Sequence, residues 1–121
     1  MFYSSSSAGF RNVLSGITMK TLVFGKKTLL VEFRLKKGSA LPFHSHPHEQ
    51  TGCCVKGSIR LTIGKASRVM RPGDCWCISG NAAHGASALK NAVAVEVFSP
   101  VRKNYLPEKK SRRGRAAASA S

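Results

Sequence analysis

Hydrophobic residues recur at every second position in three separate runs, and this alternation confines the chain to a fold of short, half-buried strands. Val31, Phe33 and Leu35 alternate with Glu32, Arg34 and Lys36; Ile59, Leu61 and Ile63 alternate with Arg60 and Thr62; Val93, Val95 and Val97 alternate with Ala94, Glu96 and Phe98. Successive side chains of a strand point to opposite faces, so each run can give one face to a core. Turn pairs fall between the runs: Gly25-Lys26, Lys37-Gly38, Lys56-Gly57, Gly64-Lys65, Pro72-Gly73 and Gly80-Asn81. No stretch shows a 3.6-residue period with caps. Closely spaced short strands with glycine-marked turns predict an all-β antiparallel sandwich or jelly-roll barrel rather than an α/β fold.

A length of 121 residues suits one domain, and the 42% of hydrophobic residues are spread from Ile17 to Phe98. We expect an N-terminal arm over 1–16, a barrel over 17–106 and a basic, disordered tail over 107–121. No basic-then-apolar leader and no apolar run of about 20 residues is present, so the expectation is a soluble, cytoplasmic protein without a membrane span. The four cysteines, Cys53, Cys54, Cys75 and Cys77, lack Cys-x-x-Cys spacing. Reduced thiols are expected, although Cys75 and Cys77 share a strand face, which leaves a metal or redox role open.

Twenty Lys plus Arg stand against five acids, a formal charge of +15. That excess attracts polyanions through counterion release. It is diffuse and has few aromatics among it, unlike a base-reading or stacking surface, so nonspecific polyanion binding is expected rather than a dedicated nucleic-acid site.

The densest chemistry lies between Gly38 and Gly57. On an extended strand His44 and His46 project to one face, Pro47 turns the chain, and Gln50 can return as a further donor. His84, after the Pro72-Gly73-Asp74 turn, can close the set from across the barrel. These residues can hold one divalent transition metal (Zn, Ni, Mn, Fe, Co or Cu) with positions open to substrate. Gln50 is preferred to Glu49 as a ligand, His48 is assigned to the rim, and Glu32 to a solvated strand face. Three neutral imidazoles and an amide leave the ion's full charge uncompensated, which favours an anionic, oxygen-rich ligand.

This pattern resembles the cupin superfamily. Its first motif is matched in spacing at Gly38, His44, His46, Gln50 and Gly57, and its second at Gly73, Asp74 and His84. Ser79, Asn81 and Ala88 depart from it at turn positions. The resemblance implies an antiparallel double-stranded β-helix, the cupin jelly-roll barrel, and commonly a homodimer. The N-terminal arm and the face bearing Val93, Val95 and Val97 are its candidate contacts.

A narrower resemblance rests on His44 to Gly52, on Trp76 and Ile78 after Gly73-Asp74, on His84-Gly85, and on Glu96 to Leu106 with Phe98, Arg102 and Tyr105. It is to pectin-degradation cupins of the KdgF type, which convert 4,5-unsaturated uronates into linear keto forms. The resemblance implies Glu96 as an acid–base residue, Phe98 as a pocket aromatic and Arg102 as a clamp on the substrate carboxylate. A structural Glu96–Arg102 pair and a core role for Phe98 are the alternatives. Another metal-dependent cupin enzyme, a dioxygenase or an isomerase, and a noncatalytic or engineered metal-binding scaffold also fit these residues.

Overall fold

The computed structural model describes residues 1–107. The chain forms ten strands: β1 (Arg11–Leu14), β2 (Ile17–Phe24), β3 (Leu29–Leu35), β4 (Ala40–His44), β5 (Glu49–Lys56), β6 (Ile59–Ile63), β7 (Ala66–Met70), β8 (Cys75–Ile78), β9 (His84–Ala88) and β10 (Ala92–Ser99). A 3-10 turn, Lys103–Tyr105, follows. All but the first residue of the expected basic tail lies outside the described residues.

The strands form two antiparallel sheets, ordered β1-β2-β3-β10-β5-β8 and β4-β9-β6-β7. This is the all-β jelly roll that the alternation predicted. Each alternating run became a strand, and in two of them the apolar parity turned inward: Val31 and Leu35 of β3, and Ile59 and Leu61 of β6, are buried. In β10 the inward parity belongs to Ala92, Ala94, Glu96 and Phe98, and the three valines occupy the outer face. No helix among the described residues is long and apolar enough to cross a membrane.

The core has two parts. Ile17, Leu35, Cys54, Ile59, Leu61, Met70 and Ile78 fill the space between the sheets, and Met19, Leu29, Val31 and Phe98 form a second cluster. Burial of each of the larger side chains contributes about 1.5–3 kcal/mol against exposure. Val101, Tyr105 and Leu106 pack on the second cluster and fold the segment after β10 back over the barrel.

Register decides what meets inside. Across the larger sheet, Leu29, Phe98, Gln50 and Ile78 form one inward row; Val31, Glu96, Gly52 and Trp76 form the next. On the facing sheet His44 pairs with His84, which in turn pairs with Ile63. Residues more than 40 positions apart thus come to share one cavity.

Candidate metal centre

His44 ends β4 and His84 begins β9, directly opposite each other, with ring centroids 4.3 Å apart. His46 was expected on the same strand as His44. The strand stops at His44, however, and His46 lies in the following loop, where its carbonyl accepts a hydrogen bond from the Asn81 amide at 2.7 Å. The loop delivers its ring to the other two, 5.6 Å from His44 and 5.0 Å from His84 between centroids. Asn81 has φ 68°. It stands where the cupin pattern has glycine, and asparagine is among the residues that best tolerate that left-handed conformation.

The three rings each offer a nitrogen within 4.8 Å of the others. Each is oriented by its backbone: Nδ1 of His44 donates to the Pro42 carbonyl (2.9 Å), Nδ1 of His84 to that of Ala82 (2.8 Å), and Nδ1 of His46 to that of His48 (3.1 Å). A carbonyl can only accept, so the Nδ1 atoms carry the protons and the Nε2 lone pairs remain for a ligand. Burial, aided by the nearby Arg102 guanidinium and His84, lowers the pKa of His46 to about 4. Burial likewise lowers that of His84. Both are neutral imidazoles at neutral pH, the form that binds metal.

Buried polar atoms left without a partner supply an independent test of fit. Nε2 of His46, Nε2 of His84 and Oε1 of Gln50 are all buried with no hydrogen-bond partner among the described residues. Such groups are costly unless something satisfies them. Two imidazole lone pairs and an amide oxygen are a donor set that fits a divalent cation. Gln50 is 5% exposed and lines the same cavity as His44 and His84, whereas its neighbour Glu49 is exposed on the outer face. His48 lies outside the three-histidine group and contributes its carbonyl to His46.

Gln50 also reaches the other way. Its Nε2 donates to Oε2 of Glu96 at 2.6 Å, and Nε1 of Trp76 donates to the same oxygen at 2.8 Å. Gly52 makes this junction possible, since a Cβ there would lie 2.6 Å from Cγ of Glu96 and 2.8 Å from Nε1 of Trp76. Burial raises the pKa of Glu96; the two donors and Arg102 pull it the other way without cancelling that effect.

Arg102 makes no salt bridge with Glu96; the one ion pair among the described residues is Arg34 with Glu32. Instead its guanidinium lies 4.1 Å from the Tyr105 ring centroid and 5.4 Å from that of Phe98. Phe98 is 1% exposed, so it is a core residue that also meets the site: its ring stands edge-on to His46 at 5.9 Å. The sequence alone gives Trp76 and Tyr105 no specific role. Tyr105 packs on Phe98 at 5.3 Å and Phe33 at 6.1 Å, and Thr21 donates a hydrogen bond to its carbonyl. His44, His84, Gln50, Glu96 and Arg102 line one cavity together with the apolar Leu35, Ile59 and Leu61.

A family model described as "Cupin domain" matches residues 31–99. Among solved structures, KdgF from Halomonas sp. is 26% identical, with a TM-score of 0.84 over 88% of this chain and 100% of that one. An RmlC-like cupin from Shewanella frigidimarina is 22% identical and superposes with a TM-score of 0.82, covering 87% and 95% of the two chains; it supports the fold alone. A curated Bacillus subtilis protein named H2HPP isomerase is 28% identical over 102 residues, 83% of this chain. The chain spans 43% of that relative's length.

Proposed function

From the premise that the chain belongs to the cupin family, we propose that it holds one divalent transition metal on His44, His46, Gln50 and His84 and acts on a small anionic sugar acid. The reaction is conversion of a 4,5-unsaturated uronate to its linear keto form. The observation that carries this reading is the Gln50 side chain, which turns an orphaned Oε1 toward the histidines and its Nε2 to the Glu96 carboxylate. Metal donors and a proton-carrying group are thereby built into one junction. Zn, Ni, Mn, Fe, Co and Cu all accept this donor set. When bound, such an ion supplies Lewis acidity toward hydroxyl and carboxylate oxygens.

The conversion is an isomerisation. The anomeric hydroxyl loses a proton, the C1–O5 ring bond breaks, and C4 gains a proton. Glu96 is the group suited to carry that proton: burial raises its affinity for it, and the two donors fix Oε2 so that Oε1 can work from a set position. Arg102 offers a planar fork for the uronate carboxylate at the cavity mouth, and its stacking on Tyr105 fixes the plane of that fork. Phe98 is the aromatic wall beneath it. The neutral ligand set and Arg102 both favour an anion. The similarity to KdgF supports the substrate class.

A second reading, another metal-dependent cupin isomerase, is favoured by the relative named H2HPP isomerase; the same proton carrier would serve it. Incubating metal-loaded protein with unsaturated galacturonate or mannuronate and following the enol absorbance separates the two. Accelerated loss of absorbance is expected, and a rate equal to that of buffer with metal would remove the uronate reading. The remaining expectations, a cytoplasmic homodimer and salt-sensitive polyanion binding, belong to the same proposal. Sedimentation and heparin retention against salt test the last two.

A further inference from the structure

Three of the four thiols lie on the outer face of the larger sheet, away from the cavity. Cys53 of β5 is directly opposite Cys75 of β8, and Cys77 is opposite Thr51 two pairs further on. Cys54, by contrast, is buried on the inner face, where its thiol donates to the Lys56 carbonyl at 3.4 Å. The next pair in register is joined by the ladder: the amide of Cys54 donates to the Asp74 carbonyl at 2.9 Å. Antiparallel pairs alternate, so Cys53 and Cys75 form a non-hydrogen-bonded pair, the kind whose Cα atoms approach to about 4.5 Å and whose side chains stand closest. That separation lies within the range a disulfide requires. Cys75 is exposed to reagents and Cys53 is half-buried.

We propose that Cys53 and Cys75 form a reversible dithiol–disulfide site, oxidised by hydrogen peroxide, that fastens strand β8 to β5. The exposed Cys75 thiolate attacks one peroxide oxygen; the O–O bond breaks, hydroxide leaves and takes a proton to become water, and the sulfur becomes a sulfenic acid. The Cys53 sulfur then displaces the sulfenic oxygen, which leaves as a second water, and the S–S bond forms. Two thiols give up two electrons and two protons, and one peroxide becomes two waters.

The position has a consequence for the cavity. β8 is a four-residue strand whose ladder partner among the described residues is β5 alone. Trp76, which follows Cys75, lies across Gly52 and donates to Glu96. Fastening the strand at Cys75 holds that indole in place. Burial, with the neighbouring Cys75, raises the pKa of the Cys53 thiol, so closure of the disulfide is expected to quicken with rising pH. The inference does not rest on the proposed reaction, and its failure would leave that reading standing.

The test uses the full-length protein, reduced, freed of reductant and treated with a few equivalents of hydrogen peroxide. The expected product is monomeric, lighter by about 2 Da, and restored by dithiothreitol. Peptide mapping is expected to join Cys53 to Cys75. Emission of Trp76, the chain's one tryptophan, is expected to fall on oxidation and recover on reduction. Cys53→Ser and Cys75→Ser should each abolish the mass loss, and Cys77→Ser should retain it. A bond through Cys77, a disulfide between two chains, or thiols carried singly to sulfinic acid while the wild-type protein stays folded would overturn the proposal. The wild-type peptide map decides the matter even if a serine variant fails to fold.

Discussion

Gln50 donates Nε2 to Glu96 at 2.6 Å while its Oε1 is buried without a protein partner. One neutral side chain therefore touches both the candidate ligand cluster and the candidate acid. A glutamate at position 50 would keep a metal-binding oxygen but set two carboxylates against each other. Gln50→Glu is expected to retain metal, measured by elemental analysis, while kcat falls at least about tenfold because the Glu96 oxygen loses its donor and gains a repelling neighbour.

Removing the metal should loosen the barrel mouth, since three buried lone pairs lose their partner. A ligand at 100 times its Kd stabilises by about 2.7 kcal/mol, so chelation is expected to lower Tm by roughly 10 °C. Readdition of Zn or Ni should restore it. His84→Ala should abolish that gain, as followed by thermal unfolding with and without metal.

Protons and metal compete for His46. In the folded protein this imidazole takes a proton only near pH 4, against 6.5 unperturbed. Between those values the unfolded chain binds the extra proton, so stability falls as pH drops from about 6.5 to about 4 and is fully present above that window. The total is of order 3 kcal/mol for metal-free protein. Denaturant titrations across this range check the sign, and bound metal should be released over the same acid interval.

Trp76→Phe keeps most of the ring and removes the Nε1 donor from Glu96. Loss of a donor to the ionised form raises the carboxyl pKa further, so the Glu96 limb of the pH–rate profile should move upward, at a stability cost of about 1–2 kcal/mol. Gly52→Ala should be worse, because its methyl would stand 2.6 Å from Cγ of Glu96. Overpacking of this kind costs about 1–3 kcal/mol, readable by thermal unfolding.

Arg102→Ala should raise KM for a uronate by about 10–100-fold with a smaller change in kcat, since a carboxylate clamp binds substrate and transition state alike. Arg102→Lys should recover little, because an ammonium lacks the planar fork. Steady-state kinetics on the two variants check both statements.

The sequence by itself determined the fold class and singled out the candidate metal donors. Alternation of apolar residues is a local signal that survives without knowledge of partners, and it set the inward parity of β3 and β6 and the shared face of Glu96 and Phe98. The His44, His46, Gln50 and His84 spacing likewise carried the family's pattern into the barrel. Tertiary structure alone decided the rest. His46 sits beyond the strand because the chain turns after His44, and its ring reaches the others through a loop fastened to Asn81. Trp76 acquired a partner only through the register of β5 and β8, which sets it across Gly52 from Glu96. Cys53 met Cys75 through that same register, although they are 22 positions apart in sequence. Local periodicity fixes which way a side chain points; which side chain it meets depends on strand pairing, and that is set by the whole core at once.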